Sequence, residues 1–188
     1  MRDRRSTLTG LLCIAALGWA TAAAGEVMLV PAQSDIVFTS KQMGVPVEGR
    51  FKRFDARITL DPRRPETGSV QVSIDTGSAT FGLPEPDSEL GKVAWFDVGR
   101  FPQATFQSTG IKSVGEGRLE VAGTLRIKGF ARDCVVPVTL TSAGATTTAT
   151  GRFSVKRLDY KIGDGEWSDT SMVGNEVQVM FKFVLTGL

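Results

Sequence analysis

The chain has 188 residues, a formal charge of +2, 41% hydrophobic and 22% charged side chains, and no histidine. That balance suits one folded domain and excludes a disordered tail or a bundle of membrane spans. The missing imidazole removes the Ser-His-Asp triad, the Cys-His dyad, histidine-ligated haem and most zinc sites.

Arg2, Arg4 and Arg5 precede an apolar run over 8–20, and Ala22, Ala23 and Ala24 follow. Charged, apolar and small-residue sections in that order predict a signal peptide over 1–24, cleaved after Ala24, and a mature domain over 25–188 in the periplasm or outside the cell. A membrane anchor is the competing reading. Thr9, Gly10 and Gly18 interrupt the run, which falls short of the ~20 apolar residues a spanning helix needs. Bulky Leu12 argues against lipid attachment at Cys13. Three arginines and one aspartate leave with the leader, bringing the charge to zero. No long-range field then holds a phosphate polymer, so nucleic acid is not expected as a partner. Cys134 is the one cysteine left, so the exported domain is expected to fold without an internal disulfide.

Alternation dominates the rest of the chain, and all eleven phenylalanines follow the leader. Strands are predicted over 35–41, 47–60, 69–76, 104–112, 119–127, 132–141, 146–155 and 177–185, with a short edge strand at 26–30. Within 47–60 the apolar phase shifts from Val47, Gly49 and Phe51 to Phe54, Ala56, Ile58 and Leu60. A one-residue slip of that kind reads as a bulge near Lys52 and Arg53, with Arg50, Lys52, Arg53, Arg57 and Thr59 on a solvated outer face. Turn chemistry separates the strands at Asp61-Pro62, 115–117, 142–144 and 163–165. Between Phe81 and Phe101 the pattern changes: Pro84, Glu85, Pro86 and Asp87 lead into 88–96, a short helix or ordered loop. Roughly eight to ten half-wet strands in one antiparallel array suit a barrel or a sandwich.

Alternation turns Phe38, Phe51, Phe54, Ile58, Val72 and Ile74 inward, and later Phe106, Leu125, Ile127, Phe153, Phe181 and Phe183. A closed barrel can fill itself with such side chains and bind nothing, so core packing competes with ligand contact at each of them. In the polar loop 164–169, the carboxylates do not have EF-hand spacing, and no metal is expected. That loop is expected to close one end of the array, with Trp167 and Met172 at the mouth. No G-x-S-x-G elbow or S-x-x-K step is present, so no catalytic residue is assigned, although a carboxylate pair stays open. Cys134 reads as a small buried hydrophobe, its redox use undecided.

Four segments carry a resemblance. Ser34-Asp35-Ile36-Val37-Phe38 is followed by Gly49-Arg50-Phe51-Lys52-Arg53-Phe54; Trp95-Phe96-Asp97-Val98 precedes 101–109, which reads FPQATFQST; 121–129 reads VAGTLRIKG; and Lys156-Arg157-Leu158-Asp159-Tyr160 comes late. In this order they resemble the YceI-like family of exported, lipocalin-like polyisoprenoid-binding proteins. The resemblance implies an all-β antiparallel barrel of about eight strands around an apolar pore, and adds Trp95 and Phe96 to the ligand-binding residues. It implies an isoprenoid quinone, a polyprenyl derivative or another long-chain lipid as ligand, no further cofactor, a homodimer, and a membrane or membrane protein as donor. One departure stands out: Pro86-Asp87-Ser88-Glu89-Leu90 replaces the Arg-Asp pair and His-Leu step of many relatives. An enzyme or accessory subunit acting on such a lipid, and a stress-related structural protein with an incidental cavity, are the alternatives. Each methylene moved from water into an apolar lining gains about 0.8 kcal/mol, so a tail alone can supply affinity.

Overall fold

Short turns join most strands, so neighbours in sequence become neighbours in the sheet. The computed structural model describes residues 27–188, and the leader and its cleavage point lie outside the described residues. The strands are β1 (Met28–Leu29), β2 (Asp35–Gln42), β3 (Val45–Phe51), β4 (Phe54–Thr59), β5 (Ser69–Asp75), β6 (Ala79–Thr80), β7 (Gln103–Gly115), β8 (Arg118–Ile127), β9 (Phe130–Ala143), β10 (Thr146–Lys156) and β11 (Glu176–Thr186), with one helix, α1 (Pro84–Leu90), between β6 and β7. All pairings are antiparallel. Gly117 and Gly144 take φ of +64° and +62° at two of the hairpin tips, a region that costs other residues a steric penalty.

The chain bends at Lys52-Arg53 but does not stop pairing: Lys52 N–H donates to the Ser78 carbonyl at 3.1 Å and Asp75 N–H to the Arg53 carbonyl at 3.0 Å. β3 and β4 are therefore one bent stave, and β5 and β6 another, beside it. With β11 paired to β2 and β2 to β3, the staves close into an eight-membered ring. The slip expected near Lys52 and Arg53 is that bend, and Arg50, Lys52, Arg53 and Arg57 face solvent outside it.

Three details differ from the sequence reading. The segment at 26–30 is not a free edge: Met28 and Leu29 pair with β11, Val27 bridges Ile58 of β4, and the following turn buries Val184 on the outer side of β11. The helix starts earlier than the 88–96 stretch because Pro84 can occupy its first turn, where its missing N–H costs nothing, and it ends after burying Leu90. β6 is too short to leave an alternating pattern.

One of the long ladders in the wall stops short. The β9–β10 ladder runs from Ala143↔Thr146 to Val138↔Gly151 and ends there, although both strands continue. Leu140 N–H points away from β10, to the Gly117 carbonyl, so by alternation position 137 faces β10. Pro137 occupies it and has no N–H to donate. Beyond it, the turn at Arg157–Tyr160 enters the gap: Tyr160, 3% exposed, packs in one cluster with Cys134, Phe153 and Val155, and Arg132 Nη2 donates to the Asp159 carbonyl at 3.1 Å.

Arg157 then fastens one end of the barrel. It is 2% exposed, and its guanidinium donates to five backbone carbonyls, those of Gly174, Ile162, Gly163, Trp167 and Val173, at 2.6–3.1 Å. Those bonds use every N–H the group has. No carboxylate pairs with it among the described residues. The loop expected to close an end over 164–169 does so by wrapping this one cation.

Candidate functional site

Inward-facing rows leave a lumen with two chambers. The first, about 110 Å³, is lined only by aliphatic residues and phenylalanine; Ile58, Val72, Ile74, Phe106, Leu125, Phe153, Phe181 and Phe183 belong to its wall. The second, about 100 Å³, lies under α1 and the loops and takes its wall from Phe38, Phe51, Trp95, Phe96 and Ile127. Val179 lines both. Each is smaller than the about 300 Å³ at which ordinary small-molecule pockets begin, so they suit a slender chain or admit a wider group by turning side chains.

Of the residues that the sequence turned inward or placed at the mouth, three line neither chamber. Phe54 stacks on Phe183, with ring centroids 5.7 Å apart, and belongs to the packed core. Trp167 sits behind Trp95 at 5.7 Å, outside the lining. Met172 is 48% exposed, its carbonyl taking the Met43 N–H at 2.8 Å. Both Trp167 and Met172 thus support the end loop rather than face the lumen.

Three glycines give rings that line the chambers room against the barrel wall. A Cβ at Gly151 would lie 2.5 Å from the Phe181 ring, and one at Gly49 or Gly123 would overlap the rings of Phe38 or Phe106. Lacking a Cβ, these positions let each ring fold flat against the neighbouring strand instead of crossing the lumen. Gly123→Ala is expected to cost about 1–3 kcal/mol, as overpacking does, and to push Phe106 into the first chamber. Thermal melts and the amount of lipid retained should both fall, and adding Phe106→Leu should restore the lipid but not the melt, because the Gln107 carbonyl would still lie 2.6 Å from the new Cβ. An unchanged lipid load in Gly123→Ala would mean that this ring does not set the bore.

The second chamber differs in chemistry. Its wall adds Phe81 to the rings already named, and Phe38 stands 5.3 Å from Phe51 and 5.4 Å from Phe81, the latter edge-on. Phe51 meets Phe96 at 5.9 Å. Ser40, Gln42 and Arg157 are the polar residues in its lining, whose surface is otherwise almost wholly apolar. The indole Nε1 of Trp95 is buried and meets no acceptor of the protein. Alternation already pointed to Val179, Leu119 and Val121, which share rows with named residues. Nothing in the pattern announced Ser40, Gln42 or the role of Arg157, since each polar residue interrupts an apolar rule instead of obeying one.

Around this end burial governs the ionisable groups. It pushes the Tyr160 hydroxyl up to about 12, with the Cys134 thiol adding to the effect. It raises the Cys134 thiol as well, with help from Asp133, which disfavours the thiolate that redox chemistry requires. Lys128 is lowered by burial, and its ammonium donates to the Val93 and Lys161 carbonyls at 2.7 and 2.6 Å. Asp87 is held below the usual carboxylate range by the hydroxyl of Thr80 and by Phe81 N–H at 2.6 Å. It ties α1 to β6 and does not line the chamber. Among the described residues no group of three or more Cys, Asp or Glu gathers as metal ligands would.

The model of the YceI-like domain matches residues 28–185. A Vibrio cholerae protein described as a UPF0312 protein is 31% identical over 137 residues, covering 72% of this chain and 72% of its own. Among solved structures, BcnA of Burkholderia cenocepacia superposes with a TM-score of 0.81 at 42% identity, over 83% of this chain and 98% of that one. A polyisoprenoid binding domain from Saccharophagus degradans superposes at 0.70 and 16% identity, over 86% and 98%, a likeness of fold alone.

Proposed function

The chain belongs to the YceI-like domain family, and from that membership we propose that it is an exported protein that holds a long-chain isoprenoid or similar amphiphile in its barrel for transport or storage. The observation that carries the reading is the pair of neighbouring chambers inside the barrel, one wholly apolar and one ring-lined with a few polar residues, which share Val179 in their walls. That is the shape of an amphiphile: a tail without hydrogen-bonding groups, then a head with a few. A polyisoprenoid binding domain among the structural neighbours accords with it. The polar residues of the second chamber are Ser40, Gln42 and Arg157, and no base stands among them to activate the serine. This favours a carrier over an enzyme. Export rests on the leader at 1–24. A quinone or polyprenyl ligand, a membrane-bound donor and pairing of two copies belong to the same proposal.

Purifying the chain from its native host, denaturing it and analysing the organic extract by mass spectrometry should reveal a stoichiometric lipid. An empty extract, together with failure to take up added quinone, would reject the carrier. Turnover of bound lipid, abolished by changing one carboxylate, would favour the enzyme instead.

A further inference from the structure

Outside the lumen lies an open cleft of about 610 Å³, none of whose lining residues belongs to either chamber. Val93, Asp97 and Arg100 line it from the segment after α1, Lys128 and Phe130 from the β8–β9 hairpin, and Lys161 from the end loop. Of the four non-glycine residues with left-handed backbone among those described, three are here: Asp97, Lys128 and Lys161, with φ of +49°, +49° and +55°. Such backbone carries a steric penalty and gathers where a side chain must be held in one place. Two of these side chains are almost wholly buried and still have bonding capacity to spare. Lys128 is 9% exposed, and its ammonium donates to the Val93 and Lys161 carbonyls, which leaves one of its three N–H groups without an acceptor among the described residues. Asp97 is 5% exposed, and its carboxylate accepts no hydrogen bond there, meeting only the Arg100 guanidinium at 3.6 Å. Trp95 Nε1 is the one side-chain polar atom among the described residues that is both sealed and unbonded. The Asp97 oxygens therefore keep an opening to the outside, and the opening beside them is the cleft. Lys161 pairs with Asp164 at 3.9 Å, whereas no carboxylate comes within ion-pair distance of Lys128.

We propose that this outer cleft seats the head of one zwitterionic phospholipid of a bilayer, its phosphate on Lys128 and Arg100 and its primary ammonium on Asp97. The assignment goes beyond the carrier reading, for it specifies a second lipid site outside the barrel and holds whatever the lumen carries. One unpaired cation and one unbonded carboxylate call for a ligand with one anion and one N–H cation, joined by charge-assisted hydrogen bonds. Arg100 lies over the Phe101 ring at 5.2 Å, which keeps its guanidinium at the cleft. The apolar lining names the source of the head. Val93 and Phe130 are large, exposed and set among these charges. A free zwitterion gives them nothing to touch, whereas the acyl boundary beneath a lipid head does. Because the domain has no net charge without its leader, this contact is driven by fit and apolar insertion and not by a long-range field.

Vesicle flotation with the mature chain provides the test, comparing phosphatidylcholine alone with an equimolar mixture of phosphatidylcholine and phosphatidylethanolamine. Choline has no N–H to give Asp97, so the mixed vesicles are expected to bind about tenfold more tightly, as a hydrogen bond to a charged group allows. Asp97→Asn should bring the mixture down to the level of phosphatidylcholine. Asparagine tolerates left-handed backbone, so this variant is expected to fold, and its melt checks that. Val93→Ser, at an exposed side chain, should lower binding to both vesicles by about fivefold through lost apolar contact. In the unmodified protein, free O-phosphoethanolamine should move the backbone amide resonances of 93–101 only at millimolar concentration. Equal binding to the two kinds of vesicle, or a preference that survives in Asp97→Asn, would overturn the assignment. Tight uptake of the free head group by a chain that ignores vesicles would overturn the bilayer as its source. None of these results alters the organic extract, by which the carrier stands or falls.

Discussion

Arg157→Leu should lose about 4 kcal/mol, the cost typical of stripping one member from a buried charged network. For a domain of this size that is a fall of about 8–16 °C in melting temperature. Five carbonyls would keep their places with no donor, and the loop from Ile162 to Gly174 would have nothing to wrap. Arg157→Lys keeps the charge but brings three N–H groups to five acceptors, so its melt should fall between the two. A melt of Arg157→Leu within about 2 °C of the parent would show that the loop holds itself without the guanidinium.

Phe183→Asp should fail to fold at neutral pH. Phe183 is 6% exposed, stacked between Phe54 and Phe181 at 5.7 and 4.9 Å. Losing the ring costs about 3–5 kcal/mol, and an unpaired carboxylate in that cluster several more, against a total stability of about 5–15 kcal/mol. Circular dichroism and yield of soluble protein are the measurements, with Phe183→Leu as the control that keeps an apolar side chain and folds. A cooperative melt for Phe183→Asp near that of the parent would put Phe183 on the wrong face of β11.

Period-two patterning made the wall legible. Leu119, Val121 and Leu125 alternate with Glu120 and Arg126, and the structure buries the first set and exposes the second. The shift of phase between Phe51 and Phe54 exposed the bend because a side chain can change face only if the backbone inserts or turns a residue. Other features left no such trace. The strand predicted over 132–141 runs through Pro137 and the structure keeps it whole, but Pro137 ends one of the two ladders β9 takes part in, and a sequence does not say which neighbour a given N–H would face. Gly49, Gly123 and Gly151 have no side chain to mark a role in the sequence, though each is the seat of a ring from another strand. Met172 and Trp167 were assigned to a mouth on hydrophobicity and loop position alone, and neither property fixes the direction in which a loop folds. Arg157 was visible as a letter in the late Lys156-Arg157-Leu158-Asp159-Tyr160 segment, but its partners are carbonyls, which every residue has and no pattern marks.

The proline in β9 has a consequence for girth. Where the ladders are continuous, as between β8 and β9 or β10 and β11, widening the barrel would mean pulling apart rungs of backbone hydrogen bonds. Along the arc between Pro137 and the start of β9 it would mean sliding Tyr160 past Cys134 and Phe153 and giving up one hydrogen bond, from Arg132 to the Asp159 carbonyl. The flank beside the ring-lined chamber is thus where the hoop resists widening less than it does along its continuous ladders.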